Sequence, residues 1–156
     1  MLLLHAPSYK QTDSSRAVST STLWVDLQKG FRGTHKFYDK RGRYIALLVD
    51  DELTIFEGFA WDLASPSFRV GRKWFGTPTS DREVAATMLH DFSRGLLGQQ
   101  CCPWTIKDTD DFFYDLMELQ RSRVTDLYHW MVSNPIGKLY HKLTYKGPQY
   151  DCHECK

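Results

Sequence analysis

The periodicity of the chain changes once, near Ser80, and this change constrains the fold more than any other feature. Before it, residues 22–61 contain short runs that alternate between apolar and polar positions, and such alternation predicts strands. After it, apolar residues recur every three or four positions, first at Ala85, Leu89, Phe92 and Leu96. That spacing predicts amphipathic helices.

Strands followed by helices favour an α+β fold. We predict an N-terminal antiparallel β-meander followed by three to four helices packed on one face. The first two helices have recognisable caps, a capping box that begins at Ser80 and a capping threonine at Thr105. The expected helices cover about 81–97, 106–121, 124–132 and 136–143.

The 156 residues are enough for one domain with a real core. We predict that this domain covers residues 22–144. Residues 1–21 are rich in serine and threonine and are predicted to be an extended arm, because they offer little to offset their own ordering entropy. Residues 145–156 are predicted to be a tail. Both ends are expected to lie along the domain or to reach a neighbouring subunit.

Composition narrows the classes of partner. The net charge is +1, which gives no general attraction to nucleic acid or to an anionic membrane, so nucleic acid is an unlikely partner. No apolar run is long enough for a membrane span. The start, Met1 to His5, lacks a basic leader, so we expect no export signal. Residues 69–74 mix basic and aromatic residues and are interpreted as a solvated loop.

Four ionisable residues interrupt apolar stretches and are the candidate catalytic and metal-binding residues: Asp62, His90, Asp91 and Asp110. Burying such groups costs free energy unless they are paired or bound to metal, so we expect them to lie together. Carboxylates and imidazole can hold zinc or manganese, and can also perform acid–base chemistry. Each also has a structural interpretation: an Asx turn for Asp62, packing for His90, and a salt bridge for Asp110.

Cys152-His153-Glu154-Cys155 has the spacing of half a zinc site, but Cys101 and Cys102 are adjacent and do not supply a matching second half. Metal binding by Cys152 and Cys155 is therefore a weak prediction. Thiols and disulfide cross-links remain open as alternatives. Cross-linking or metal sharing between this pair and Cys101-Cys102 is a further alternative.

Three motifs in order resemble a small phage and prophage family, the domain-of-unknown-function family numbered 1353. They are Gly-Phe-x-x-Asp-x-Ala-Ser at residues 58–65, Ala-Ala-x-x-x-His-Asp at residues 85–91, and an acidic residue before an aromatic at residues 110–113. The chain departs from the pattern at Pro66, which directly follows Ser65, and at Ser93-Arg94, where an aromatic residue is expected. The resemblance implies a viral or prophage origin and a location in the host cytoplasm or in the virion.

Two functions from different classes account for these features. The first is a metal-dependent or acid–base hydrolase of cell-wall-type material, with water as the nucleophile. The second is a virion structural component, a capsid or tail accessory protein, in which the polar cluster only specifies the fold. In the second case residues 1–21 and 145–156 bind other virion proteins or another copy of the chain.

Overall fold

The computed structural model describes most of the chain as one β-rich body with two helices. The described residues are 1–12, 16–62, 68–70, 73–75, 83–99, 101–122, 125, 126, 130, 134, 135, 139 and 147–155, with backbone alone for 68–70, 73–75, 154 and 155. The described strands are β1 (Leu2–His5), β2 (Tyr9–Gln11), β3 (Arg16–Ser19), β4 (Leu23–Asp26), β5 (Thr34–Asp39), β6 (Tyr44–Val49), β7 (Glu52–Ile55), β8 (Ala60–Asp62), β9 (Phe68–Val70), β10 (Lys73–Phe75) and β11 (Tyr150–Cys155). The helices are α1 (Val84–Arg94) and α2 (Ile106–Leu119).

The main sheet is antiparallel and has six strands in the order β1-β4-β7-β6-β5-β11. A second antiparallel sheet has the order β2-β3-β8, and β9 and β10 form a separate pair. The chain ends supply both edges of the main sheet: Leu2 lies opposite Asp26, and Tyr150 lies opposite Asp39. Alternating side chains give this sheet one buried face, since Leu23, Val25 and Phe37 are fully buried.

The helices cover that buried face and contribute the other half of the core. The predicted stripe of α1 is confirmed, because Ala85, Leu89, Phe92 and Leu96 are fully buried. The ring of Phe92 packs edge-on against Phe37 at 5.3 Å between centroids. Aromatic contacts of this kind hold the helix layer to the sheet through large buried apolar area.

Helix α2 begins as its sequence predicts. Thr105 is the N-cap, its side chain accepts the N–H of Asp108, and Asp108 returns the interaction in a capping box. Helix α1 starts later than predicted, at Val84 with Glu83 as its N-cap. The predicted cap Ser80 lies outside the described residues. Neither described helix is long and apolar enough to cross a membrane.

The predicted α+β fold with three to four helices is wrong. Across the described part of the chain the protein is mostly β, with nine of its eleven strands in two antiparallel sheets and only two helices. The predicted helices over 124–132 and 136–143 lie mainly outside the described residues. The strands that the sequence did not reveal include β1, β2, β3 and β11, which lie near the two ends of the chain. They form because distant strands pair with them.

The chain ends differ from the predicted arm and tail. Within residues 1–21, β1 joins the main sheet, and β3 pairs with β8. Ala17 is fully buried, and the Ser19 hydroxyl accepts the N–H of Phe59 at 3.1 Å. Within residues 145–156, β11 pairs with β5 along its full length. A segment poor in large apolar residues still orders here, because neighbouring strands satisfy its backbone groups.

Candidate functional site

Helices α1 and α2 bring three of the four predicted site side chains together. His90 and Asp91 lie on the edge of α1 beside its buried stripe, and Asp110 lies on the facing side of α2. His90 Nδ1 is 3.5 Å from Asp91 Oδ1, and His90 Nε2 is 4.0 Å from Asp110 Oδ1. The ring of Phe113 packs on the imidazole with 5.0 Å between centroids.

Asp62 joins this cluster through its backbone. Its N–H donates to Asp91 Oδ2 at 3.0 Å, which fixes the orientation of the Asp91 carboxylate. The Asp62 side chain is instead 3.3 Å from Arg16 Nε in an exposed ion pair. Asp62 therefore positions Asp91 and presents its own charge to β3.

Arg94 completes the cluster and was not among the predicted site residues. Arg94 Nη1 is 3.5 Å from His90 Nε2 and 3.9 Å from Asp110 Oδ1. A guanidinium can only donate, so this contact makes His90 Nε2 the acceptor and directs the Nδ1 proton toward Asp91. The i, i+4 spacing of His90 and Arg94 on one helix face was the sequence signal that could have revealed it.

The electrostatics of the cluster follow from partial burial. The exposed fractions of the side chains are 13% for His90, 14% for Asp110 and 17% for Arg94. Burial lowers the pKa of Arg94 below its ordinary value, and the charges of Asp110 and Asp91 oppose that shift. Because a guanidinium stays protonated in proteins, Arg94 contributes a fixed positive charge next to His90.

Tyr150 on β11 is a second residue that sequence reasoning missed. Its ring stacks on Phe92 and packs against Phe59. Burial raises the pKa of the Tyr150 phenol, and the charges of Asp91 and Asp62 raise it further. The Tyr150 phenol therefore stays neutral at physiological pH.

The position of Arg94 bears on whether the cluster could hold a metal ion. Metal ligands must converge on one point at about 2.0–2.2 Å. Here the positively charged guanidinium of Arg94 lies between His90 and Asp110, in the position that a metal ion would take. The Asp62 carboxylate faces Arg16. Among the described residues, no group of three or more His, Cys, Asp or Glu side chains is arranged to hold a metal ion.

The predicted cysteine half-site has a different shape from a zinc knuckle. Cys152 and Cys155 both belong to β11, an extended strand paired with β5. Because a strand rises about 3.3 Å per residue, their Cα atoms are about 10 Å apart, beyond the reach of a disulfide between them. Cys152 is buried and instead contacts Cys101.

A separate groove lies on the opposite, outer face of the main sheet. It has a volume of about 360 Å³ and is lined by Tyr38, Asp39, Gly42, Asp151 and His153. Its two carboxylates already have cationic partners, since Lys40 Nζ is 2.6 Å from Asp151 and Arg43 Nε is 3.1 Å from Asp39. The residues of the His90 cluster take no part in it.

Comparisons of the chain with family models, with curated proteins and with solved structures find no match. The site is therefore defined by its own geometry: the His90 imidazole lies between two carboxylates, and the Arg94 guanidinium lies beside its Nε2 atom.

Proposed function

We propose that this protein is an acid–base hydrolase in which His90 activates water. The observation that carries the proposal is the contact set of His90, with Asp91 Oδ1 at 3.5 Å on one ring nitrogen and Asp110 Oδ1 and Arg94 Nη1 at 4.0 and 3.5 Å on the other. A histidine whose one nitrogen is oriented by a carboxylate is the usual arrangement of a general base. Contacts of this length are common in sites without substrate and tighten when substrate binds.

In this mechanism the Arg94 guanidinium moves between His90 and the substrate. Without substrate, its Nη1 atom lies 3.5 Å from His90 Nε2 and blocks access to that nitrogen. A substrate carbonyl oxygen draws the guanidinium away, and the exposed Nε2 takes a proton from water. The hydroxide adds to the carbonyl carbon, and Arg94 pairs with the oxyanion that forms. The imidazolium, stabilised by Asp91 and Asp110, then gives its proton to the leaving amine.

The substrate class follows from this chemistry together with the resemblance described above. Water and a single histidine suit hydrolysis of an amide, and the amide-linked peptides of bacterial cell walls fit a phage or prophage origin. Asp62, through its backbone N–H, is a positioning residue for Asp91. Asp91 and Asp110 are positioning and charge-balancing residues for His90 and Arg94.

The test uses the full chain and purified peptidoglycan sacculi, with new primary amines measured by a fluorogenic amine reagent. His90→Gln is expected to lower the rate at least about 100-fold, the usual contribution of a general base. His153→Gln is the matched control, because His153 is an exposed histidine on the outer face of the sheet, and it should keep the full rate.

Three outcomes contradict this proposal: folded wild-type protein that releases no amines, full activity in His90→Gln, or equal losses in both histidine variants. A chelator arm separates the two predicted forms of hydrolase. Activity that survives EDTA supports the acid–base form, and activity lost to EDTA and restored by zinc or manganese supports the metal form.

A second candidate function is a virion structural component, and the observation that favours it is the position of the chain ends. Strands β1 and β11 are the two edges of the main sheet, and an edge strand offers unpaired backbone groups to another chain. On β1, Leu2 and Leu4 are 47% and 45% exposed. We expect wild-type protein to self-associate in sedimentation velocity, and Leu4→Lys to be monomeric because an edge lysine opposes pairing. Monomeric wild-type protein would count against this candidate.

A further inference from the structure

Cys101 and Cys152 are 51 residues apart in the chain and lie against each other in the fold. The Cys101 thiol donates to the Cys152 carbonyl oxygen at 2.8 Å, and the Cys152 thiol donates to the Cys101 carbonyl oxygen at 3.2 Å. Each sulfur therefore lies beside the backbone of the other cysteine. Such reciprocal contacts place the side chains of the two cysteines next to one another.

The surrounding backbone holds this arrangement in place. Gln149 N–H and Tyr150 N–H both donate to the Gly95 carbonyl oxygen, at 2.7 and 3.2 Å. The Gln99 side chain donates to the Tyr150 carbonyl oxygen at 3.0 Å. The start of β11 is thus fastened to the turn after α1 at several points. These contacts hold Cys101 and Cys152 in a fixed position relative to each other.

We propose that Cys101 and Cys152 form a redox-controlled disulfide that locks β11 to the turn after α1, with a small-molecule disulfide as the oxidant. Cys101 is partly exposed, whereas Cys152 is buried. The Cys101 thiolate attacks one sulfur of the oxidant, and one small thiol leaves. The Cys152 thiolate then attacks the Cys101 sulfur and displaces the second small thiol. The protein dithiol loses two protons and two electrons, and the oxidant is reduced to two thiols.

Cys102 is the neighbouring cysteine that we expect not to be oxidised. Its thiol faces the Trp104 carbonyl oxygen at 3.5 Å rather than β11. Burial raises the pKa of Cys102 to about 11, so its reactive thiolate is scarce at neutral pH. Cys102 is therefore expected to remain a thiol under conditions that oxidise its neighbour.

The lock acts on a strand that also carries Tyr150, whose ring packs against Phe92 and Phe59 in the core. In a reducing compartment both cysteines stay thiols, and in an oxidising one the disulfide closes a loop of 51 residues. A cross-link over a loop of this length restricts the unfolded chain and raises the melting temperature. The proposal stands independently of the hydrolase function.

The experiment treats reduced full-length protein with glutathione disulfide, alkylates the remaining thiols and identifies linked peptides by mass spectrometry. The expected product links Cys101 to Cys152 and leaves Cys102 alkylated. The melting temperature of the oxidised protein should rise by about 5 °C or more. Cys102→Ser should keep this rise, and Cys101→Ser should abolish it.

Several results would overturn the proposal. These are a protein that stays fully alkylated after oxidation, a link from Cys101 to Cys102, and a link that involves Cys155 in place of Cys152. Because the peptide mapping uses the wild-type chain, the result does not depend on whether a variant of the buried Cys152 folds.

Discussion

At the scale of single residues, Arg94 decides what the polar cluster can do. The two carboxylates of Asp91 and Asp110 and the imidazole of His90 alone would form an acidic site with affinity for a cation. The guanidinium, 3.9 Å from Asp110 and 3.5 Å from His90, provides that positive charge from within the chain. Because a guanidinium only donates hydrogen bonds, the same group can pair with an anionic oxygen brought next to His90.

Another single residue, Asp51, organises the loop between β4 and β5. Its carboxylate accepts the N–H groups of Lys29, Gly30 and Phe31 at 3.1, 2.9 and 2.9 Å. Burial alone would raise the pKa of Asp51, but these three donors hold it below its ordinary value. The charged carboxylate is therefore bound more favourably in the folded protein than in the unfolded chain.

This gives a prediction with a defined pH dependence. Asp51→Asn should lower the free energy of unfolding by about 1–2 kcal/mol at pH 7, because an amide is a weaker acceptor for three N–H groups. A lowered folded-state pKa gives stability that is present above the unfolded pKa, near 3.9, and is lost as the pH falls through the folded pKa. Urea unfolding of both proteins from pH 7 to pH 3 should show the difference shrinking below about pH 4. A difference that is constant with pH would contradict the assignment.

At the scale of elements, α1 and β11 meet where the backbone of Gly95 lies directly against the ring of Tyr150. Gly95 is the C-cap of α1 and has an ordinary helical φ of −64°. Its lack of a side chain matters for space rather than for backbone angle. A Cβ atom at this position would lie 2.6 Å from Cδ2 of the Tyr150 ring, far inside van der Waals contact.

Gly95→Ala is therefore expected to destabilise the protein by about 1–3 kcal/mol, the usual cost of overpacking. The Tyr150 ring has little room to move, because it is stacked on Phe92 and packed at a tilt against Phe59. A double-mutant cycle with Tyr150→Ala checks the cause. The cost of Gly95→Ala should largely disappear in the Tyr150→Ala background. An additive double variant would show that the clash is not responsible.

At the scale of the whole molecule, the two ends of the chain close the structure. Residues near the N-terminus form one edge of the main sheet and the middle of the second sheet, and the last strand forms the other edge of the main sheet. β3 also lies between β2 and β8, so it connects the N-terminal segment to the strand that carries Asp62. The ends are therefore integral to the fold and to the site.

Removal of residues 1–20 is expected to unfold the protein, because it takes away β1, β2 and β3 and exposes the partner edges of β4 and β8. The matched control removes only residues 1–5, which costs one edge strand and leaves Ala17 and Ser19 buried. Circular dichroism and thermal melts should show a cooperative transition for the short deletion and none for the long one. A cooperative thermal transition in the variant that lacks residues 1–20 would show that these residues are peripheral to the fold.

The sequence by itself determined the local features. The central strands, the buried stripe of α1 and the Thr105 cap of α2 are all readable, because each depends on neighbours within a few residues. The grouping of His90, Asp91 and Asp110 was also foreseeable, since buried ionisable groups need partners.

Only the tertiary structure decided the remainder. Short strands such as β1 and β11 are stable because β4 and β5 supply their hydrogen-bond partners, and no local pattern encodes that pairing. The same holds for the contact of Cys101 with Cys152 and for the place of Arg94 between His90 and Asp110. These contacts depend on how distant elements pack. The same long-range pairing makes the fold more β-rich than the chain alone suggested.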